Sequence, residues 1–158
     1  MPNLDAHDRR LLELIQVDAA RTADELASVV PLSPSAIQRR LKRLHDEGVI
    51  EREVAVLDAA RLGGATLFFA SLRLRQEHPA STNRLQDWMA QRPEIQQAYY
   101  VTGDHDYIVV VCAADVASYE ALMARLMQDN PDVARYTTSV VLKPVKRSLT
   151  IPLQPPGN

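Results

Sequence analysis

The stretch Thr22–Gly48, TADELASVVPLSPSAIQRRLKRLHDEG, decides how this chain folds. Thr22 and Glu25 form a T-x-x-E capping box, in which the two side chains satisfy free amides at a helix start. Leu26, Val29 and Val30 give that helix an apolar face, and Pro31 stops it by withholding an amide hydrogen. Ser33 and Pro34 open a further helix, with serine as N-cap and proline at the first helical position. Ile37, Leu41 and Leu44 fall at i, i+4 and i+7 and make one inward stripe. Gln38, Arg39, Lys42 and Arg43 lie mainly off that stripe, with Arg40 nearer its border. No acid occurs between Ser33 and His45. Gly48 ends the helix as a left-handed cap.

On the amino-terminal side, Asp5 suits the N-cap of an earlier helix, and Asp8 lies in the first turn, where the helix dipole favours acid. Leu11, Leu12, Leu14 and Ile15 recur at helical spacing, and Asp18 to Arg21 is the break. After Gly48, residues Val49 to Val56 of VIEREVAVLD alternate apolar with charged, which predicts a short two-stranded wing. Three helices, a tight turn and a wing predict a winged helix-turn-helix, which offers its last helix to the DNA major groove. Arg39, Arg40, Lys42 and Arg43 would then neutralise phosphates, the main source of affinity. Ser33 and Ser35, at the helix N-terminus, would donate to a phosphate or meet base edges. Gln38 and Arg39 have the groups for bidentate contacts with adenine and guanine. The competing reading of the same cluster is a solvated helix face.

A chain of 158 residues, 46% hydrophobic, makes one ordinary domain or two small ones. Its net charge of −2 means that any DNA contact rests on locally concentrated positive charge. The single cysteine, Cys112, excludes an internal disulfide and a cysteine zinc cluster. Its place in the apolar run YIVVVCAA predicts a buried, inert thiol. Met1 to Arg10 carries no leader-like apolar region, and no run reaches the roughly 20 apolar residues of a membrane helix. The expected compartment is the cytoplasm, with no membrane partner.

Leu57 to Gly64, LDAARLGG, ends in paired glycines and reads as a linker. Beyond it, Ala65 to Arg75 alternates as a strand, and Ser81 to Arg92 is a helix closed by Pro93. Ile95 to Thr102 is a strand, and Gly103-Asp104-His105-Asp106 is a tight turn. Tyr107 to Ala113 is an apolar strand, Val116 to Asn130 a helix, and Val133 to Val145 the last strand. The order βαββαβ is the ferredoxin-like pattern. Its sheet has one helix-covered face. The other face needs a partner, because Phe68, Tyr100, Tyr107 and several valines cannot all point inward, and a dimer through this domain is expected.

Four stretches together resemble the Lrp/AsnC family of leucine- and asparagine-responsive regulators: LDAHDRRLLELIQVDAARTADELA, LSPSAIQRRLKRLHDEGVI, LDAARLG and VTGDHDYIVVV. The resemblance runs from Leu4 to about Thr150, and the last stretch carries the family's G-D-x-D-Y motif. It implies an α+β chain: a winged helix-turn-helix over 1–56, a linker over 57–65 and a ferredoxin-like (RAM-type) effector and oligomerisation domain over 66–151; the tail over 152–158 is proline-rich and reads as loose. It implies homodimers assembling into tetramers or octamers that bend or wrap double-stranded DNA, and a small effector, usually an amino acid. Gly103, Asp104, Asp106 and Tyr107 match the motif, Tyr100, Val101 and Thr102 lead into it, and Val140 and Val141 match positions tied to the effector response. The family often has glycine where Pro31 stands, so this turn must be built differently or shifted.

The GDHD turn has two readings, aspartates capping backbone amides or an amino-acid site in which amides hold a carboxylate and an aspartate the ammonium. Three adjacent residues rarely converge on a metal, so no metal is expected at Asp104, His105 and Asp106. His7, His45 and His78 sit among polar residues and read as solvated. Neither a catalytic constellation nor a cofactor motif is read, and fold alone does not license an activity. The leading expectation is an effector-responsive transcription regulator. The alternative is an architectural DNA-bending protein with no effector.

Overall fold

Each helix of the amino-terminal half begins where a side chain accepts its first free amide. The structure, a computed structural model, describes residues 3–76 and 78–153. Helix α1, Ala6–Ile15, starts at Asp5, and α2, Ala23–Ala27, starts at Thr22; both have reciprocal capping boxes. Helix α3, Pro34–Asp46, starts at Ser33, whose Oγ accepts from the Ala36 amide at 3.3 Å. At its far end Gly48 has φ +69°, the Gly48 amide donates to His45 O, and the Val49 amide donates to Leu44 O. That paired arrangement is a Schellman cap, and it needs the left-handed conformation that glycine adopts without strain.

Pro31 does not itself stop α2. The helix is already capped at Ser28, and the turn closes over the proline by a Leu32 amide bond to Val30 O at 2.7 Å. A three-residue turn of that kind needs φ near −75° at its centre, which proline supplies. No non-glycine residue among those described has positive φ, so the turn is made without a left-handed residue. Leu11, Leu26, Val30 and Ile37 form the buried centre of the three helices, with Leu14, Leu32 and Leu41 packed on it.

The expected two-stranded wing is absent from the described residues. Residues 51–58 form no strand, and Val54 and Val56 are 64% and 80% exposed. The alternation there is that of an extended segment, but one extended segment closes no ladder without a second strand beside it.

The chain divides into two compact units, Met1–Val56 with Lys146–Asn158, and Leu57–Val145. The linker motif is partly structured. A 3₁₀ turn over Ala59–Leu62 is closed by Gly63 and Gly64, at φ +95° and +88°. The second unit follows as β1 (Thr66–Leu74), α4 (Pro79–Ala90), β2 (Ile95–Tyr100), β3 (Tyr107–Ala113), α5 (Val116–Asp129) and β4 (Val133–Val140). All three pairings are antiparallel in the order β2-β3-β1-β4, which is the ferredoxin-like topology. Helix α4 starts two residues ahead of the expected Ser81, because the His78 ring accepts from the Ala80 amide and Pro79 takes the first turn. Strand β4 stops at Val140 rather than Val145. The Val141 amide bonds Leu67 O, and the start of β1 at Thr66 leaves little strand beyond it to pair with.

The parity of the sheet corrects the expected open face. Phe68, Ala70, Leu72, Tyr107, Val109 and Val111 are buried under α4 and α5, and the Phe68 ring stacks on Tyr119 at 4.1 Å. Tyr100 lies beside Tyr107 at 5.1 Å between ring centres. The register places Phe69, Ile108, Val110 and Tyr99 on the opposite face. Cys112, opposite Leu67, is half-buried there and is not a core thiol.

From Lys146 the chain belongs to the amino-terminal unit. The Gln16 carboxamide holds it there, accepting from the Ile151 amide at 2.9 Å and donating to Ile151 O at 3.1 Å. Of the tail expected over 152–158, residues 154–158 lie outside the described residues. No helix among the described residues is long and apolar enough to cross a membrane.

Candidate functional site

Two places collect the residues singled out from the sequence: the outer face of α3 and the turn between β2 and β3. On α3, Ile37 and Leu44 are fully buried, so the helix presents Ser33, Ser35, Gln38, Arg39 and Lys42 outward, all exposed. Arg39 has no hydrogen-bond or ion-pair partner among the described residues. Lys42 pairs with Asp46 at 2.7 Å, one helical turn away and in solvent. An exposed pair of this kind contributes about 0.3–0.5 kcal/mol, so Lys42 exchanges readily to a phosphate.

Arg40 and Arg43 behave differently from the phosphate contacts expected of them. Arg40 Nη1 donates to Asp5 and to Asp8, each at 2.7 Å, and Arg43 Nη2 donates to Asp8 Oδ2 at 2.6 Å. Asp8 is 1% exposed. Its other bond accepts the Asp5 amide in the α1 capping box. One buried carboxylate on α1 therefore holds two arginines of α3 and ties the two helices together. The Asp8 amide, and after it Arg40, hold the Asp5 carboxyl below its usual range.

The β2–β3 turn is built onto β1. The Val101 amide donates to Asp106 O, and the Asp106 amide to Leu72 O, both at 2.9 Å. Asp106 Oδ2 accepts the Leu74 amide at 2.6 Å, beside the irregularity in register at Arg73/Leu74, and Arg73 donates to Asp104 O at 2.9 Å. Gly103 sits at φ +115°, a conformation that side chains resist. Asp106 thus caps the Leu74 amide, which lies beyond the last β1–β3 pair. Thr102, Gly103 and Asp104 stay exposed, and the Asp104 carboxylate has no partner among the described residues.

Tyr100 and Tyr107 line a cavity of about 330 Å³ between α4 and β2, together with Gln86 and Met89. Gln86 donates to the Tyr107 hydroxyl at 3.0 Å. No charged side chain lines it. Val140 and Val141 are not gathered with this group. Val140 pairs with Phe68 near the start of β1, whereas the turn bonds Leu72 and Leu74 at its end. Antiparallel pairing places the end of β4 there, about 13 Å along the strand from Leu72.

Residues 67–151 match the model of the Lrp/AsnC ligand binding domain, and residues 4–51 match a winged helix-turn-helix DNA-binding model. The chain belongs to the Lrp/AsnC family. An uncharacterized HTH-type transcriptional regulator of Sinorhizobium fredii is 36% identical, over 96% of this chain and 89% of the relative. The Bkd operon transcriptional regulator of Pseudomonas aeruginosa is 31% identical over 97% and 100%. Among solved structures, an AsnC family regulator from Agrobacterium tumefaciens is 27% identical, covers 94% of this chain and 97% of its own, and has a TM-score of 0.86. A transcriptional regulator from Neisseria meningitidis in complex with L-Met is 25% identical over 95% and 97%, also with a TM-score of 0.86. This Lrp/AsnC protein is a DNA-binding transcriptional regulator with a separate ligand-binding domain.

Replacing Asp8 by alanine leaves two guanidinium groups without their buried acceptor. The expected loss is about 2–3 kcal/mol, less than for a wholly buried pair because both arginines reach water. Hydrogen exchange across residues 5–46 measures it, and unchanged protection shows that the pairing does not hold the helices. Acid acts in the same direction at Asp5, whose folded pKa lies below its unfolded value. Its stabilisation is present above the ordinary aspartate pKa of about 4 and is lost as pH falls through the depressed folded value. A pH titration of helical signal, compared with Asp5→Asn, should show that acid limb in the parent and a weakened one in the variant. Asp106→Ala should destabilise the sheet unit by about 1–3 kcal/mol, since the Leu74 amide loses its acceptor. Asp106→Asn, which keeps an oxygen there, should recover part of it in urea unfolding.

Proposed function

We propose that this regulator reads DNA with Gln38 and Arg39, assisted by Ser33, Ser35 and Lys42 on phosphates, while Arg40 and Arg43 chiefly hold the helix at its angle. The observation that carries the reading is the division of the basic cluster. Arg39 is exposed and unpartnered among the described residues, whereas Arg40 and Arg43 are bound to Asp8. A guanidinium with no internal partner loses nothing when a phosphate or a guanine edge takes its donors.

The effector is a small amino acid, received at the β2–β3 turn. Support comes from the family assignment, from the L-Met bound in the Neisseria relative, and from the turn itself. With Asp106 engaged at Leu74, Asp104 is the aspartate available for an ammonium group, and the exposed backbone at Thr102 and Gly103 is the place for a carboxylate. The face carrying Phe69, Tyr99, Ile108 and Val110 is the dimer surface, and dimers assemble further into tetramers or octamers. A flat sheet face with half-exposed aromatic residues needs such a cover. The site of action is the cytoplasm, where the DNA lies.

Arg39→Ala is expected to weaken DNA binding and to reduce the slope of log affinity against log salt by about 0.9 per bound protomer. Isothermal calorimetry with a panel of amino acids, repeated on Asp104→Ala, tests the effector. Saturable heat that is lost in the variant supports the turn as the site, and no heat with any member favours an architectural protein without an effector.

A further inference from the structure

Three of the five cations without partners, from two distant places in the chain, fall in one unit. Most lysines and arginines of this protein are engaged by an acid, a carbonyl or an aromatic ring, as Arg84 is by Asp132 and Arg92 by the Trp88 ring. Arg39, Arg135, Lys143, Lys146 and Arg147 have no such partner among the described residues. Arg135 and Lys143 belong to the sheet unit. Lys146 and Arg147 belong to the amino-terminal unit, as Arg39 does, and both are exposed.

Two further observations make this segment more than a charged loop. From Val133 to the end of the chain there is no Asp or Glu, in a protein whose net charge is −2. The segment is also pinned downstream. The Gln16 carboxamide, at the C-cap of α1, makes both bonds to the Ile151 backbone, as a neighbouring strand would. The Thr150 amide and hydroxyl both meet Ser148 Oγ, at 3.1 and 2.7 Å, which stiffens the residues between. Arg147 is four residues from Ile151, so its backbone stays within about 14 Å of that anchor. Two adjacent exposed cations with no acid paired to them, held on a DNA-binding unit, keep their full charge for an external polyanion.

We propose that Lys146 and Arg147 are a second phosphate-contacting element of the DNA-binding unit, delivered by the carboxy-terminal segment that Gln16 anchors. The proposal rests on the helix-turn-helix unit binding duplex DNA and adds contacts outside the recognition helix. They neutralise backbone phosphates and read no base, so they strengthen binding to every sequence alike.

The test is the full-length Lys146→Ala/Arg147→Ala variant, titrated by fluorescence anisotropy with a random-sequence duplex several turns long over a series of salt concentrations. Both positions are exposed, so the fold is retained. The salt slope should become shallower by about 1.8 per bound protomer, with weaker affinity at low salt. The charge-keeping variant Lys146→Arg/Arg147→Lys should keep the parent slope. An unchanged slope in the alanine variant overturns the proposal. If sedimentation then shows a smaller assembly, the cations serve contacts between copies, in keeping with the exposed Leu149 and Ile151 nearby. Arg39→Ala, measured in parallel, separates the two ideas. A changed slope there with none in the Lys146→Ala/Arg147→Ala variant leaves the recognition helix in place and removes only this element.

Discussion

The amino-terminal unit depends on a single carboxylate. Asp8 lies under the junction of α1 and α3, caps its own helix and receives two arginines of the other. Burying an ion is costly unless its hydrogen-bonding capacity is filled, and here it is filled from three directions. The apolar contacts of Leu11, Leu26 and Ile37 bring the helices together but tolerate some sliding. The fork geometry of guanidinium on carboxylate does not, so the Asp8 cluster sets the register of α3 against α1. A helix that must enter a groove of fixed width gains more from a defined angle than from extra charge. That accounts for arginines being used internally on a helix with few cations to spare.

In the sheet unit the same economy places Asp106. The family motif reads as a string of ligand-binding groups, yet one of its two aspartates is spent on the Leu74 amide, where the β1 ladder is irregular. Arg73 and Leu72 bond the same turn, so its geometry follows β1. Strand β1 is central in the sheet and pairs on its other side with β4. A ligand that tightens the turn therefore acts on the central strand directly, without passing through the helices.

Local chemistry was legible in the residues. The caps at Asp5, Thr22 and Ser33, the Schellman glycine at Gly48 and the βαββαβ order all depend on neighbours within a few positions, and the structure places them as the spacing predicts. What could not be read depends on partners far along the chain. The acceptor of Arg40 and Arg43 lies 32 and 35 residues away, so a basic stripe with no acid inside it looked free. The alternation in β1 was plain, but alternation alone does not say which parity meets the helices. Phe68 faces the helices, where its ring stacks on Tyr119 of α5, and Phe69 faces away. The segment after Gly48 alternates like a wing, and its failure to form one reflects the absence of a second strand, which no local pattern reports. Asp106 showed the converse: its residue type fitted a backbone cap, but the amide it caps, at Leu74, lies 32 residues away.

The distribution of charge, more than its sum, explains how a slightly acidic chain handles a polyanion. At a net charge of −2, long-range attraction to DNA is absent on average, and a uniformly scattered set of cations would be cancelled by neighbouring acids. The chain pairs most cations internally and keeps a few apart from acids, in the acid-free stretches between Ser33 and His45 and after Asp132. Paired cations contribute little to counterion release, because their charge is already neutralised before DNA arrives. Affinity is then carried by a few unpartnered side chains, and its salt dependence should be modest for each protomer. Where several protomers engage one duplex together, those few contacts are multiplied, so a weak single contact and a tight whole are compatible. A protein organised in this way is poised for control. A change in assembly alters the number of contacts made at once, and it shifts occupancy of DNA without altering any residue on the recognition helix.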